Sequence, residues 1–343
     1  MNILQQQIEE KGYLLADGAT GTNLFAMGLT SGDAPELWNT DEPEKIRALY
    51  RSFIDAGSDI ILTNTFGGNR YRLKLHSAQS RVHELNSLAA SIALEEANKE
   101  SRKVIVAGSM GPTGELIQPL GELSIEDCEE AFFEQASALV EGGADVLWIE
   151  TMSARDELEA AIRGARRTGY PVAATMSLDT NGNTMMGISP RELVNICNQQ
   201  NLAAFGTNCG VGASEVVASI VSSSQEHPVA PLIAKANCGI PEFVEGEIRY
   251  NGTPELMADY AVMVRDAGAR IIGGCCGTTS AHLVSMRAAL DSTPKSSAPS
   301  LEMIEDRLGA ISPGAKSCLQ GEISAAENQA QSKSSRRRRR SNV

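Results

Sequence analysis

Between Tyr13 and Leu290 the chain alternates apolar runs of strand length with amphipathic segments of helix length. That alternation predicts βα units around a parallel sheet. The runs are Tyr13 to Ala16, Asp59 to Thr63, Lys103 to Ala107, Val146 to Ile149, Val172 to Met176, Ala203 to Gly206, Leu232 to Ala236 and Ala269 to Gly273. Eight is the number that closes a (β/α)8 barrel, for which about 250 residues suffice. The expected fold class is therefore α/β, a single TIM barrel over residues 1–292. A disordered, low-complexity tail is expected over 293–343, where the composition turns to Ser-Thr-Pro-Lys-Ser-Ser-Ala-Pro-Ser and ends in Arg336 to Arg340. Within the tail, Leu301 to Leu308 reads as one short helix.

The helical segments carry start signals of their own. Ser189-Pro190-Arg191-Glu192 combines an N-cap, a proline at the first helical position and a capping-box glutamate. Thr253-Pro254 opens another helix, and Ser124 precedes a helix that Gly142-Gly143 ends.

Charge and cysteine content narrow the function classes. The net charge of −13 divides into +4 from Pro294 onward and −17 before it, so the folded part is too acidic for a nucleic-acid surface. Seven cysteines without framework spacing, and no apolar leader, predict a reducing cytoplasm. No run approaches the roughly 20 apolar residues that span a bilayer. The arginine run is read first as a solvated end, with nucleic-acid binding as the alternative.

Barrel enzymes take their reactive groups from the C-terminal ends of the strands. Gly273-Gly274-Cys275-Cys276-Gly277 follows the eighth run, and Thr207-Asn208-Cys209-Gly210 follows the sixth. Adjacent cysteines suit a shared disulfide poorly but can direct two thiolates at one ion. With Cys209 brought alongside, three sulfurs suit a zinc ion that keeps its fourth position open. Buried spectator thiols are the competing reading. Cys238, on the seventh strand between the two ligand strands, would close the site if it reached the metal; the preferred reading is a small residue filling space. Lys235 on the same strand offers Schiff-base chemistry, which would leave the Cys-Cys pair unexplained.

Taken together, Asp17-Gly-Ala-Thr-Gly-Thr, Thr63-Asn-Thr-Phe-Gly, Gly108-Ser-Met-Gly-Pro, Asn208-Cys209 and Gly273-Gly-Cys-Cys-Gly-Thr resemble the homocysteine S-methyltransferase family. That family includes betaine-homocysteine methyltransferases, whose bacterial members the chain resembles most, and the homocysteine domain of cobalamin-dependent methionine synthase. The resemblance covers roughly residues 10 to 291. It implies that Cys209, Cys275 and Cys276 are the zinc thiolates, and that Asp17 and Glu150 lie near the homocysteine amine. It also implies that backbone N–H groups at Gly18 and Ala19 meet the homocysteine carboxylate. Asn237-Cys238-Gly239 departs from the Asn-Ala-Gly expected of relatives.

The implied partners are L-homocysteine and a small cationic methyl donor, glycine betaine first, with a homo-oligomer compatible. Sulfonium donors (S-methylmethionine, S-adenosylmethionine) or a separate corrinoid protein are the alternatives, because no Asp-x-His-x-x-Gly segment for a built-in corrinoid is present. Trp38, in the loop after the first strand, is the aromatic face expected to receive a quaternary ammonium.

Overall fold

The computed structural model describes residues 1–179, 181–244 and 247–321. All eight apolar runs are parallel strands: β1 (Leu14–Leu15), β2 (Ile60–Leu62), β3 (Ile105–Met110), β4 (Val146–Met152), β5 (Val172–Met176), β6 (Ala204–Cys209), β7 (Leu232–Ala236) and β8 (Ala269–Gly274). Their order around the sheet is β1, β8, β7, β6, β5, β4, β3, β2. A parallel bridge between Ala16 and Ile60 joins the two ends of that order, so the sheet closes into a (β/α)8 barrel.

Strand alternation decides what fills the interior. Leu14, Ile60, Ile105, Val146, Ala173 and Ile271 are among the buried residues of one inner cluster, and Trp148 and Ile233 belong to it further up. Their neighbours Leu15, Ile61, Val106, Leu147, Ala174 and Ile272 face outward, into the larger cluster shared with the helices. Two residues beyond the inner apolar set come Ser109, Glu150, Thr175, Asn208 and Lys235, all buried. Three strands run further than the apolar pattern suggested, because β3, β4 and β6 carry these polar residues inside their last turns of pleat.

The floor of the barrel is closed by a helix the apolar count passed over, Ile3–Lys11. Its capping box, Asn2 with Gln5, was legible, as was the spacing of Leu4 and Ile8 that packs on the inner cluster. Asp59 anchors this end: Lys11 Nζ lies 2.6 Å from one oxygen, and the other accepts from Leu15 N at 2.9 Å and from Arg287. Burial opposes the Asp59 charge, but Arg287 and Lys11 outweigh it and hold the carboxyl below its ordinary range.

Around the sheet the expected helices form. Pro190–Asn198 begins at Ser189, which accepts from Glu192 N. Pro254–Ala267 begins at Thr253, and Ile125–Glu141 at Ser124. An antiparallel hairpin, Pro241–Val244 with Glu247–Tyr250, stands between β7 and the next helix and was not anticipated.

Beyond the eighth unit the chain stays on the barrel. The buried Arg265 guanidinium donates to the carbonyls of Leu290, Thr293 and Pro294. Helices Leu301–Leu308 and Pro313–Leu319 then bury Ile304, Leu308, Ile311 and Ala315 against the helices Ala213–Gln225 and Pro254–Ala267. Gly314 N also donates to Asn181 Oδ1 at 2.8 Å, in the loop after β5. The tail expected from 293 therefore contains a packed stretch to Gly321, because apolar side chains from two short helices and from the turn between them, at Ile311, cover this part of the surface. Arg336 to Arg340 lie outside the described residues. Among the described residues, no helix is long and apolar enough to cross a membrane.

Two outcomes follow from this packing. Each buried Ile or Leu contributes about 1.5–3 kcal/mol before ordering costs, so a chain ending at Ser292 is expected to melt roughly 5 °C below one ending at Gly321. Equal midpoints in calorimetry would show that the two helices add nothing. Asp59→Asn is expected to lower urea stability by about 2 kcal/mol at pH 7, discounted for its partly exposed partners. Because the folded carboxyl is depressed, this difference is full above its unfolded pKa of about 3.9 and shrinks as pH falls below that value.

Candidate active site

Three sulfurs meet at the C-terminal mouth. Cys209 ends β6, Cys275 and Cys276 follow β8, and their Sγ atoms all lie within 4.8 Å of one another. The backbone is bent to achieve this. Cys209 has φ of 62° and Gly210 of 74°, so the chain leaves β6 through two successive left-handed residues. For cysteine that region is sparsely populated, and such strain persists only where the surroundings enforce it.

The enforcing residue is Asn237, at the end of the intervening β7. Its Nδ2 donates to Gly210 O at 2.6 Å, and its Oδ1 accepts from Cys276 N at 3.1 Å, so one amide ties both thiol loops together. Cys275 N donates to Ala236 O, and Cys238 N to Cys276 O. Tyr250, at the end of the hairpin, packs its ring on Gly277 where a Cβ would stand 2.5 Å from its own, and its hydroxyl hydrogen-bonds Cys276.

The thiols share charge. Hydrogen bonds from Cys209 and Cys275 pull the Cys276 thiol well below its ordinary value. Cys275 is pushed well above the ordinary thiol value by its bonds to the other two sulfurs and by burial. One anion spread over three sulfurs is the kind of donor set that a thiophilic cation completes. Cys238 takes no part: its sulfur points at Gly252, where an added Cβ would come within 2.7 Å of it, and it fills space there.

Below the sulfurs lies the buried polar layer. Asn208 accepts from Thr175 Oγ1 at 2.7 Å and from Thr151 N at 2.9 Å. It donates to Thr151 Oγ1 at 2.8 Å and to Glu150 Oε2 at 3.4 Å. Thr151 itself sits at φ 62°, a rare conformation for a β-branched residue that this pair of bonds secures. Glu150 also accepts from Ser109 Oγ and is buried. Burial pushes its carboxyl up, with Lys235 and Ser109 pulling the other way. Asp17 is fully enclosed, its oxygens 2.6 Å from Lys235 Nζ and 2.7 Å from Leu62 N.

The remaining expected residues fall as follows. Gly18 lies so close to Thr278 that a Cβ would meet its carbonyl at 2.6 Å. Ala19 N donates to that same carbonyl at 3.1 Å, so this N–H is committed and not available to a substrate carboxylate. Trp38 packs half-buried on the core from the short helix Trp38–Asp41, and Lys45 Nζ stands 4.3 Å from the centre of its ring. Lys45 thus stands over one face of the Trp38 ring. Lys235 is no free amine. Burial disfavours its charge, but Asp17 and Glu150 outweigh that and raise its pKa, the reverse of what a Schiff-base nucleophile needs. Asn208, Asn237 and Ser109 gain roles from the fold; only Asn208, next to Cys209 in the chain, carried a local signal.

The matched family model is that of homocysteine S-methyltransferase, over residues 14–290. The chain belongs to this family. Methionine synthase of Mycobacterium tuberculosis is 29% identical over 306 residues, covering 84% of this chain and 25% of the relative. That of Mycobacterium leprae is 28% identical over 293 residues, covering 81% and 24%. The chain thus spans about a quarter of the length of these curated relatives. Among solved structures, the oxidised form of the Escherichia coli homocysteine methyltransferase MmuM matches at TM-score 0.67 and 27% identity, over 84% of this chain and 99% of that one. Its metallated form matches at TM-score 0.69 and 24% identity with the same coverage.

If Asn237 sets the spacing of the thiols, Asn237→Ala should weaken metal binding by roughly 10–100-fold, as loss of such supporting contacts does. Chelator competition would measure this. Cys238→Ala should bind metal as the parent protein does.

Proposed function

We propose that this protein transfers a methyl group to the thiol of L-homocysteine, giving methionine, with zinc held by Cys209, Cys275 and Cys276. The observation that carries the proposal is the convergence of these three sulfurs at the barrel mouth, in a chain of this family. The donor set fits the ion: three soft ligands leave a fourth position, as in catalytic zinc sites. Bound there, zinc would keep the substrate sulfur deprotonated and electron-rich at neutral pH.

The chain's own groups bind and orient the amino acid. Glu150, hydrogen-bonded by Asn208, receives the α-ammonium. Gly18 and the first turn of the helix Thr20–Ala26 face the loop of Cys275 to Thr278 and receive the carboxylate through N–H groups. Holding the acceptor sulfur in line with the donor carbon, away from water, supplies much of the acceleration in such a displacement. The new C–S bond forms as the C–N bond of the donor breaks, and the amine leaves with the electron pair.

Glycine betaine is the first choice of donor. A site of thiolates and carboxylates in a body of charge −17 attracts a small cation, and the reaction discharges it to a neutral amine. Trp38, with Lys45 over one face, and the exposed Phe66 after β2 are the aromatic faces on offer to it. A second reading, in which the methyl group arrives on a separate corrinoid protein, is favoured by a different observation. Leu116, Leu120, Met185, Met186 and Ile240 are all exposed on loops that follow the strands.

Zinc-loaded protein should form methionine from homocysteine and betaine, and Cys276→Ala should lose both metal and turnover. Turnover with S-methylmethionine or with a methylated corrinoid but not with betaine would reassign the donor. Full activity of Cys276→Ala would remove the metal site from the reaction.

A further inference from the structure

The left-handed turn at Cys209 and Gly210 is enclosed by two segments, and one short piece of the tail is bound to both. On one side Gly210 packs on the loop after β5, where a Cβ on it would stand 3.1 Å from Leu178 O. On the other, Gly212 leads straight into the helix Ala213–Gln225, which has no side-chain N-cap. Between its own two helices the tail turns past the first turn of that helix. Ser214 Oγ donates to Ala310 O at 3.2 Å, and Ser312 N donates to Glu215 Oε1 at 2.5 Å. Ser214, Glu215 and Ile311 are all buried there. Gly314 N then donates to Asn181 Oδ1 at 2.8 Å, in the loop after β5. The fit is close: a Cβ on Gly314 would stand 2.0 Å from Asn181 O, and one on Gly182 2.7 Å from Ala315 N. Asn181 and Gly182 are themselves left-handed, at φ 51° and 79°. The stretch 310–315 thus ties together the two segments that flank the Cys209 turn, and it lies beyond the span of the matched family model.

A left-handed cysteine costs roughly 1–3 kcal/mol and persists only where its surroundings over-determine it. Asn237 restrains this turn from inside the barrel, through Gly210 O. We infer that the stretch 310–315 is a clasp that restrains the same turn from outside, with Asn181 and Glu215 as positioning residues that act through it on Cys209. The clasp presets the Cys209 sulfur beside Cys275 and Cys276 before any metal arrives. When it loosens, the turn relaxes and one of the three ligands leaves its place. The inference rests on the zinc reading of the three sulfurs, and it holds whichever donor the reaction uses.

Chelator competition for zinc on the full chain tests this. Glu215→Ala removes the acceptor for Ser312 N, and Asn181→Gly removes the acceptor for Gly314 N while leaving the left-handed backbone easy to adopt. Each is expected to weaken zinc binding roughly tenfold, as loss of supporting contacts does. Glu215→Gln keeps an acceptor oxygen and should stay within about twofold of the parent. Ile304→Ala, which opens a cavity under the tail helix outside the clasp, should lower the melting temperature and leave zinc affinity within about twofold. Parent affinity in both Glu215→Ala and Asn181→Gly overturns the inference. So does a loss in Ile304→Ala as large as theirs, since affinity would then follow stability alone. The turn can also be read without metal. In metal-free protein, iodoacetamide should alkylate Cys209 about fivefold faster in the two clasp variants than in the parent, through local opening, with the buried Cys128 unchanged. If the parent binds no zinc, the zinc reading falls while this labelling still decides the clasp: equal Cys209 rates, or an equal acceleration at Cys128, refute it.

Discussion

A parallel barrel strand turns every second side chain into the interior, and at the upper end of this barrel those side chains are polar or charged. Ser109, Glu150, Thr175, Asn208 and Lys235 are buried where water cannot satisfy them, so each must find a partner inside. They find one another. Asn208 joins the ends of β4, β5 and β6, while Lys235 reaches across β8 to Asp17 beside β1. This layer fixes the heights of six strand ends relative to one another, and the thiols stand on it.

The sulfur cluster depends on that platform in a specific way. Cys209 and the Cys275-Cys276 pair come from strands separated by β7, so the residue that couples them has to come from β7. Asn237 is that residue, and its two bonds let a strained left-handed turn persist at Cys209. Tyr250 adds a donor to Cys276 from the hairpin above. Three sulfurs, a buried carboxylate and a glycine-lined loop are thus presented on one face by rigid elements, which suits a reaction whose chief demand is positioning. The opposite face carries the Asp59 ion-pair cluster and the Ile3–Lys11 helix, and these hold the barrel shut.

Much of this was legible beforehand because it is local. Strand number and order followed from eight apolar runs, and helix starts from Ser124, Ser189 and Thr253, since caps and periodicity act over a few residues. The three cysteines that converge at the mouth were legible because two glycine-flanked motifs follow strands six and eight of a barrel. The Ile3–Lys11 helix and the packed helices after Ser292 were harder. Both owe their order to a few apolar side chains meeting a surface that is assembled only when the barrel closes.

What the sequence by itself determined is the barrel, its closure at eight strands, and which strand ends carry sulfurs and carboxylates, because these follow from side-chain period and turn chemistry along the chain. Partnerships between distant strands belonged to the tertiary structure. Only the folded barrel shows that Lys235 is spent on Asp17 and that Lys45 stands over one face of Trp38. The same holds for Cys238 turning away to Gly252 and for the Ala19 N–H being committed to Thr278. Each is a contact between residues far apart in the chain, set by register and by the space that glycines leave, and no local pattern encodes either.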